Sequence, residues 1–394
     1  LKQILAVLLL VTAAWACPGD IVHGGGSWVY VTAADPYDPF VGANGLAFNN
    51  KVVCAFTSSL GVICFAGLDL PHRNRVWTST DAGHTFQWLA DSAYLGDVNF
   101  NPVSMIRIAL GDNTARYVAS IGIGQIGISY IFMTTPDGTT WSPSTVAPVQ
   151  TFDNTPVSLT RGTSGRVLAT GVYQNAIPQT ICDDGKTFGV TWSCTQRTGL
   201  SIGGGIPYRI AGNQALANVA GNTWLVTGKH NNDGSTWIFR STDDGATWAL
   251  VLDNNAVGNT DSTSSIACLS VNVCLAAGGQ HVWRTVDGGT TWARHNAVGL
   301  NPGTNLGGVA VFDSTTAVLI PVDSEGVPAP SLYRTLDAGV TWTVLTLSPN
   351  QVCPNVTGLS STLSTVIVQD GHALTVTSHS NMAPNKGPCA IYSN

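Results

Sequence analysis

The stretch Trp237-Ile-Phe-Arg-Ser-Thr-Asp-Asp-Gly-Ala-Thr-Trp248 reads as a strand, a tight turn and the start of a second strand. Each marked position has its own task. Asp243 can accept hydrogen bonds from the amides of the turn that follows, and Gly245 can take the positive φ such a turn demands. Ser241 and Thr247 offer hydroxyls to the same turn. Trp248 brings a large apolar surface with one donor, suited to wedging one sheet against another. The unit is a staple across a hairpin.

Five further stretches follow the pattern Ser/Thr-x-Asp-x-Gly-x-Thr-Trp/Phe. They are Ser79 to Phe86 with Asp81, Thr134 to Trp141 with Asp137, and Ile181 to Phe188 with Asp183; then come Thr285 to Trp292 with Asp287 and Thr335 to Trp342 with Asp337. The second copy has Pro136 at the acid position, and the third opens on Ile181 in place of a hydroxyl residue. The shared glycines fall at 83, 138, 185, 245, 289 and 339. A repeat near 50 residues implies one supersecondary unit per copy and one coupled array, so residues 17–394 are expected to form a single domain.

Composition agrees with short strands and turns. Of 394 residues, 43 are glycine and 12 tryptophan, only 10% are charged, and Glu325 is the sole glutamate, which leaves little material for helices. With 17 basic against 23 acidic residues, nothing points to a nucleic-acid partner. Leu1 to Ala16 holds Lys2, an apolar run from Ile4 to Val11 and Ala14-Trp-Ala16 before Cys17, the layout of a secretory signal peptide. The run is too short to span a bilayer. Secretion fits nine cysteines, of which Cys54 and Cys64, Cys182 and Cys194, and Cys268 and Cys274 flank hairpins as three expected local disulfides. Cys389 pairs with Cys353 or with Cys17, and one thiol is left over. Asn355-Val-Thr357 is a glycosylation sequon.

Between the staples the chain breaks into short strands, as in Ser265–Ser270, Val273–Gly278 and His281–Arg284 ahead of Thr291–His295. Four strands per interval is the meander of a β-propeller blade. After the sixth unit, 358–363, 365–369 and 373–377 give three strands and no fourth. Ser27-Trp-Val-Tyr-Val-Thr32 has no unit of its own, and placed beside 373–377 it would complete a seventh blade and close the ring. The expected fold is all-β: one seven-bladed propeller of four-stranded antiparallel blades with the staples between strands three and four. Six blades is the alternative.

The staple resembles the Asp-box, or BNR repeat, of several propeller families. The resemblance covers nearly all of 17–394 and implies the fold, with the motif on the rim away from the ligand face. It therefore assigns Asp81, Asp137, Asp183, Asp243, Asp287, Asp337 and the tryptophans Trp141, Trp248, Trp292 and Trp342 to structure. In size and layout the chain is most similar to the photosystem II stability and assembly factor propellers, and more distantly to sialidases and sortilin-type receptors. Sialidases need an arginine cluster, a Tyr nucleophile with a Glu and an early Arg-Ile-Pro motif; Arg107-Ile-Ala109 and Arg209-Ile-Ala211 echo the last only in part.

In a propeller, ligands meet the loops between strands two and three and between blades. On this parsing those loops carry His72, Arg73 and Arg75; Tyr208 and Arg209; and Lys229 and His230, which together could bind a polar ligand such as a glycan. A glycosidase needs two carboxyl groups at a defined separation. Only Asp69, Asp323 and Glu325 are available for that, and none is assigned as catalytic. No histidine spacing suits a metal and no glycine-rich turn sits in a phosphate-loop context, so no cofactor is expected. The reading is a secreted binding or scaffold propeller for a protein or glycan, with a sialidase-like hydrolase and a self-associating structural protein as alternatives.

Overall fold

In the computed structural model the backbone is described over 29–32, 48–56, 62–68, 75–79, 87–91, 100–111, 114–123, 131–135, 142–147, 156–171, 180–196, 208–209, 215–230, 235–254, 265–295, 299–300, 305–322, 331–346, 362–369, 372–378 and 389–393, with Leu200 and Thr263. Side chains are described chiefly between 158 and 344. Every regular element among these residues is a strand.

β1 (Val29–Thr32) stands apart from the strands that follow it. β2 (Phe48–Phe56), β3 (Val62–Leu68), β4 (Arg75–Ser79) and β5 (Gln87–Asp91) pair in sequence order as one antiparallel sheet. β6 (Phe100–Gly111), β7 (Thr114–Ile123), β8 (Ile131–Thr135) and β9 (Ser142–Pro143) form the second. After β10 (Thr145–Ala147) come β11 (Pro156–Arg161), β12 (Val167–Gly171), β13 (Thr180–Asp183) and β14 (Thr191–Gln196); β10 lies parallel to β14 and adds a fifth strand to this third sheet. In the fourth sheet β15 (Tyr208–Arg209) and β16 (Leu216–Ala220) both pair with β17 (Thr223–His230), followed by β18 (Thr236–Ser241) and β19 (Ala249–Asp253). The fifth is β20 (Ser265–Cys268), β21 (Cys274–Gly278), β22 (His281–Thr285) and β23 (Ala293–His295). The sixth is β24 (Asn305–Val311), β25 (Ala317–Val322), β26 (Ser331–Thr335) and β27 (Thr343–Thr346).

The seventh sheet corrects the expected closing unit. Residues 362–363 and 365–369, expected on two separate strands, lie on one strand, β28 (Thr362–Gln369), irregular between Leu363 and Thr365. β29 (His372–Ser378) then pairs with β30 (Cys389–Ser393), and β1 pairs with β30 instead of with 373–377, Val29 opposite Tyr392. Cys389-Ala-Ile-Tyr-Ser393 is a compact β-forming run, so it takes the position foreseen for the N-terminal strand and displaces that strand to the edge. The first strands contact one another in series, β2 to β6, β11, β16, β20, β24 and β28, and β28 returns to β2.

Each sheet leans on the next through its staple. A Cβ on Gly189 would lie 2.4 Å from Val118, on Gly245 2.8 Å from Leu168, on Gly289 2.5 Å from Leu225 and on Gly339 2.7 Å from Leu275. In every case the neighbour sits on the second strand of the preceding sheet. Between sheets lie clusters such as Leu168, Trp224, Trp237, Phe239 and Trp248, and Leu275, Val309, Leu319, Tyr333 and Trp342.

The third staple also differs from its expected register. The turn glycines 245, 289 and 339 have φ of 82°, 82° and 87°, each preceded by a left-handed residue: Asp244, Gly288 and Ala338. In the third sheet that pair is Phe188 and Gly189, at 57° and 76°. Trp192 Nε1 donates to Gly189 O at 3.0 Å as Trp248 Nε1 does to Gly245 O, and Trp192 is 2% exposed while Phe188 is 38% exposed. Gly189, Thr191 and Trp192 thus take the parts assigned to Gly185, Thr187 and Phe188. Asp183 is not the staple acid: Thr187 Oγ1 accepts from Thr191 N at 3.0 Å where Asp243 Oδ1 accepts from Thr247 N at 2.8 Å. Asp184, buried, accepts from Gly189 N at 3.1 Å where Ser241 Oγ accepts from Gly245 N at 2.9 Å.

Gly289→Ala forces both a left-handed alanine and a clash with Leu225, and is expected to cost about 2–4 kcal/mol in urea unfolding. Gly221, at φ 48° with nothing within 4 Å of a Cβ, supplies the conformational part alone, so Gly221→Ala should cost about 1 kcal/mol. Equal losses for the two variants would remove the inter-sheet contact from the account.

Candidate functional site

The recurring acids are spent on their own turns. Asp287 Oδ1 accepts from Thr291 N at 2.9 Å, Thr290 N at 3.0 Å and Thr285 Oγ1 at 2.8 Å, and Oδ2 accepts from Thr291 Oγ1 at 2.6 Å. Asp337 repeats this with Thr341, Val340 and Thr335, and Asp243 with Thr247 and Ser241. Desolvation pushes these carboxyls up, but the bonds from Thr291 and Thr285 outweigh it and hold Asp287 at about 2; those from Thr341 and Thr335 do the same for Asp337. Asp243 is lowered by the same balance of desolvation against Thr247 and Ser241. Groups ionised this far into acid hold no proton to donate at neutral pH.

Behind the staples runs a set of arginines that lie outside the repeated motif. Arg240 Nε donates to Gly288 O and Arg284 Nε to Ala338 O, both at 2.9 Å, each reaching from the strand before its own staple into the next sheet's turn. Asp183 stands at the matching place in the third sheet, since it pairs with Ser193 as Arg240 pairs with Ala249. The tie is rebuilt by Arg166, whose Nη1 lies 3.2 Å from Asp183 Oδ2 and whose Nε lies 3.3 Å from Asp244 Oδ2. Asp244 Oδ1 also accepts from Trp224 Nε1 at 2.9 Å. Arg334 occupies the last such place, and its Nε and Nη1 are buried without a partner among the described residues.

The candidate binding residues lie at the opposite ends of the sheets. In the fourth sheet Trp224 pairs with the staple residue Ser241, while the far end of β17 pairs Tyr208 with His230 and Arg209 with Lys229. The backbone therefore gathers four of the seven candidates into two adjacent rungs. Arg75 begins β4, four residues from the staple residue Ser79, opposite Ala66 and Asp91. Asp69, His72, Arg73, Asp323 and Glu325 lie outside the described residues, as do Asp81, Asp137, Trp141 and Asn355. Leu68 and Val322, which precede Asp69 and Asp323, end β3 and β25 at the end away from the staples.

The row through the Arg209–Lys229 rung continues across the sheet. Lys229 pairs with Thr236, and Asn254 N donates to Thr236 O at 2.9 Å. Asn254 is 4% exposed and its Nδ2 has no partner among the described residues. Neither Thr236 nor Asn254 stands out in the sequence, because their place beside Lys229 is set by strand register. Among the described residues no group of three His, Cys, Asp or Glu side chains could hold a metal ion.

Disulfides join Cys182 to Cys194 and Cys268 to Cys274, in each case between residues directly opposite in register. The backbone sets Cys54 opposite Cys64 in the same way. Cys389 lies between Thr32 and Thr377 in the seventh sheet; Cys353, Cys17 and residues 1–16 lie outside the described residues. No described helix is long and apolar enough to cross a membrane.

The chain has the fold of the β-propellers. It is similar to a structure of YCF48 bound to D1 peptide, at 13% identity and TM-score 0.54 over 93% of this chain and 98% of that one. YCF48 from Cyanidioschyzon merolae matches at 12% identity and TM-score 0.54, over the same shares of the two chains. An ulvan lyase of a polysaccharide lyase family matches at 9% identity and TM-score 0.53, over 90% of this chain and 94% of the other. No protein-family model and no curated protein matches the sequence. Identities this low speak to fold alone.

The staple carboxylates make stability pH-dependent with a definite sign. Asp287 and Asp337 sit near 2 folded against 3.8 unfolded, so their contribution is full above pH 4 and is lost as pH falls through 2. Thermal midpoints measured from pH 5 to 2 should fall more steeply for the wild type than for Asp287→Asn/Asp337→Asn. The double variant starts lower at pH 5, each substitution costing roughly 1–3 kcal/mol. Parallel curves would show that these turns do not hold their acids ionised.

Proposed function

We propose that the chain is a secreted, single seven-bladed propeller that binds a polypeptide partner on the loop ends of its blades and performs no chemistry itself. Seven sheets whose first strands contact one another in a closed series support the ring, and β1 beside β30 supports closure by both chain termini. The observation that carries the binding reading is the gathering of Tyr208, Arg209, Lys229 and His230 into two adjacent rungs at the end remote from the staple. A polypeptide as ligand is supported by the similar propeller whose structure contains a bound peptide. Two formed disulfides support an oxidising compartment, consistent with residues 1–16 as an export signal.

A binder is favoured over a hydrolase because the described repeat acids are committed to turn amides and hydroxyls. Asp69, Asp323 and Glu325 are the acids the sequence offers for glycoside chemistry at the loop end. On an array of synthetic peptides the protein should retain a reproducible subset, and retention should persist in Asp323→Asn/Glu325→Gln. Sugar release from a glycan panel that stops in that double variant would replace the binding reading with a glycosidase. Failure to retain any peptide would also count against it.

A further inference from the structure

In the third to sixth sheets one backbone pair closes each staple turn, and the staple tryptophan immediately precedes the fourth-strand member of that pair. Trp192 precedes Ser193, opposite Asp183; Trp248 precedes Ala249, opposite Arg240; Trp292 precedes Ala293, opposite Arg284; and Trp342 precedes Thr343, opposite Arg334. The staple glycine lies three residues ahead of each tryptophan, at 189, 245, 289 and 339. The seventh sheet has the same pair in Tyr392 opposite Val29, although β30 and β1 lie far apart in the chain. Trp28 precedes Val29, and Gly25 stands three residues ahead of Trp28. On the other strand Ser393 follows Tyr392 as Ser241, Thr285 and Thr335 follow Arg240, Arg284 and Arg334. Ser393, Gly25, Ser27 and Trp28 thus fall on the staple's hydroxyl, glycine, hydroxyl and tryptophan positions. Residues 24–28 lie outside the described residues, and the β1–β30 register alone assigns them these places.

The sixth sheet holds the complementary observation. Arg240 and Arg284 donate to the carbonyl just ahead of the next sheet's staple glycine, that of Gly288 and of Ala338. Arg334 stands at the same place one sheet on, with Nε and Nη1 buried and without a partner among the described residues. Buried cationic donors are costly unless an acceptor meets them. The residue just ahead of Gly25 is Gly24. The packing position recurs as well: Leu225 opposite Arg240 and Leu275 opposite Arg284 receive Gly289 and Gly339, and Val318 opposite Arg334 is 1% exposed. In the series of contacts between first strands the seventh sheet follows the sixth.

We infer that residues 24–28 and Ser393 form a seventh staple split between two distant parts of the chain, seated on the sixth sheet with the Gly24 carbonyl on Arg334 and Gly25 against Val318. No acid stands two residues ahead of Gly25, where His23 is; in the third staple Thr187 fills that place and accepts from Thr191 N. β1 is otherwise held by a ladder of four backbone pairs with β30. The split staple gives this last seam the same tie between sheets that the others have. It stands whatever the loop ends of the blades bind.

The test compares variants of the full chain by urea unfolding. Gly25→Ala should lower the folded-to-unfolded ratio at least about tenfold, the scale of an alanine forced into a left-handed position. Gly26→Ala should change the ratio less than about threefold, because Ala246, Thr290 and Val340 stand at its place in intact staples. Gly25→Ala and Val318→Ala should be coupled, the double variant losing less than the two single losses combined, since the shortened side chain makes room for the new Cβ. Arg334→Met should destabilise the protein as much as Arg284→Met does. Equal effects of Gly25→Ala and Gly26→Ala would overturn the split staple, as would independent losses for Gly25→Ala and Val318→Ala. An Arg334→Met variant as stable as the wild type, or more so, would overturn it too, because a buried cation with no acceptor is better replaced by an apolar side chain. Should Gly25→Ala fail to fold, the comparison of Arg334→Met with Arg284→Met decides by itself.

Discussion

One contact repeated from sheet to sheet does most to organise this protein: a left-handed glycine pressed onto an aliphatic side chain of the sheet before it. The position excludes every other residue twice over. At φ near 80° a Cβ costs backbone energy, and at 2.4–2.8 Å from Val118, Leu168, Leu225 or Leu275 it has no room. The turn is therefore both the end of one hairpin and the spacer between two sheets. The hydrogen bonds to Asp243, Asp287 and Asp337 fix the turn, the turn fixes where the glycine lies, and the glycine fixes how closely the sheets approach. Arg240 and Arg284 then bind the same turns from behind, at the carbonyl of the residue just ahead of the glycine.

That economy divides each sheet into two ends with different physical duties. At the staple end the carboxylates Asp243, Asp287 and Asp337 are satisfied locally, by amides and hydroxyls within four residues. At the other end β15 is anchored by two rungs whose residues are cationic, aromatic and imidazole, and Asn254 keeps an unused buried donor. Polar groups that could have been paired and are not mark places where stability has been left unclaimed. The described repeat acids are thus at the structurally busy end, and Arg209 and Lys229 are at the other.

The repeat and the all-β architecture were legible because the staple is local: its donors, acceptor, glycine and tryptophan fall within eight residues. The third copy was misplaced because its reading was keyed to an acid, and Asp183-Asp-Gly185 supplies one. Gly189-Val-Thr-Trp192 carries the same end of the motif as Gly339-Val-Thr-Trp342, so the deciding signal was present in the glycine and tryptophan, which do the packing. In the closing sheet the irregularity in β28 between Leu363 and Thr365 reads in sequence as a break between two strands, because no side-chain pattern announces such a feature, and Cys389–Ser393 supplies the strand that this reading lacks. The arginine ties and the Lys229–Thr236–Asn254 row could not be read at all, since their partners lie on other strands or other sheets and become neighbours only once register is set.

The third staple shows how much of the motif is dispensable when something else holds the turn. Thr187 in place of an acid accepts the Thr191 amide and hydroxyl through one oxygen, where Asp243 offers two to Thr247. Asp184 makes up the difference from the position of Ser241, accepting from Val167 N, Lys186 N and Gly189 N in a buried site. The Cys182–Cys194 disulfide encloses the entire remodelled turn; closing a loop of this size is worth roughly 3 kcal/mol on entropy alone. Asp183 keeps one turn bond, its Oδ1 accepting from Gly185 N at 2.8 Å, and its Oδ2 takes the arginine's place in the tie between sheets, with Arg166 supplying the opposite charge. The glycine and the tryptophan keep their places through all of this. What the fold requires is the close approach of sheets, and the acid is one of several ways to hold a turn in the shape that permits it.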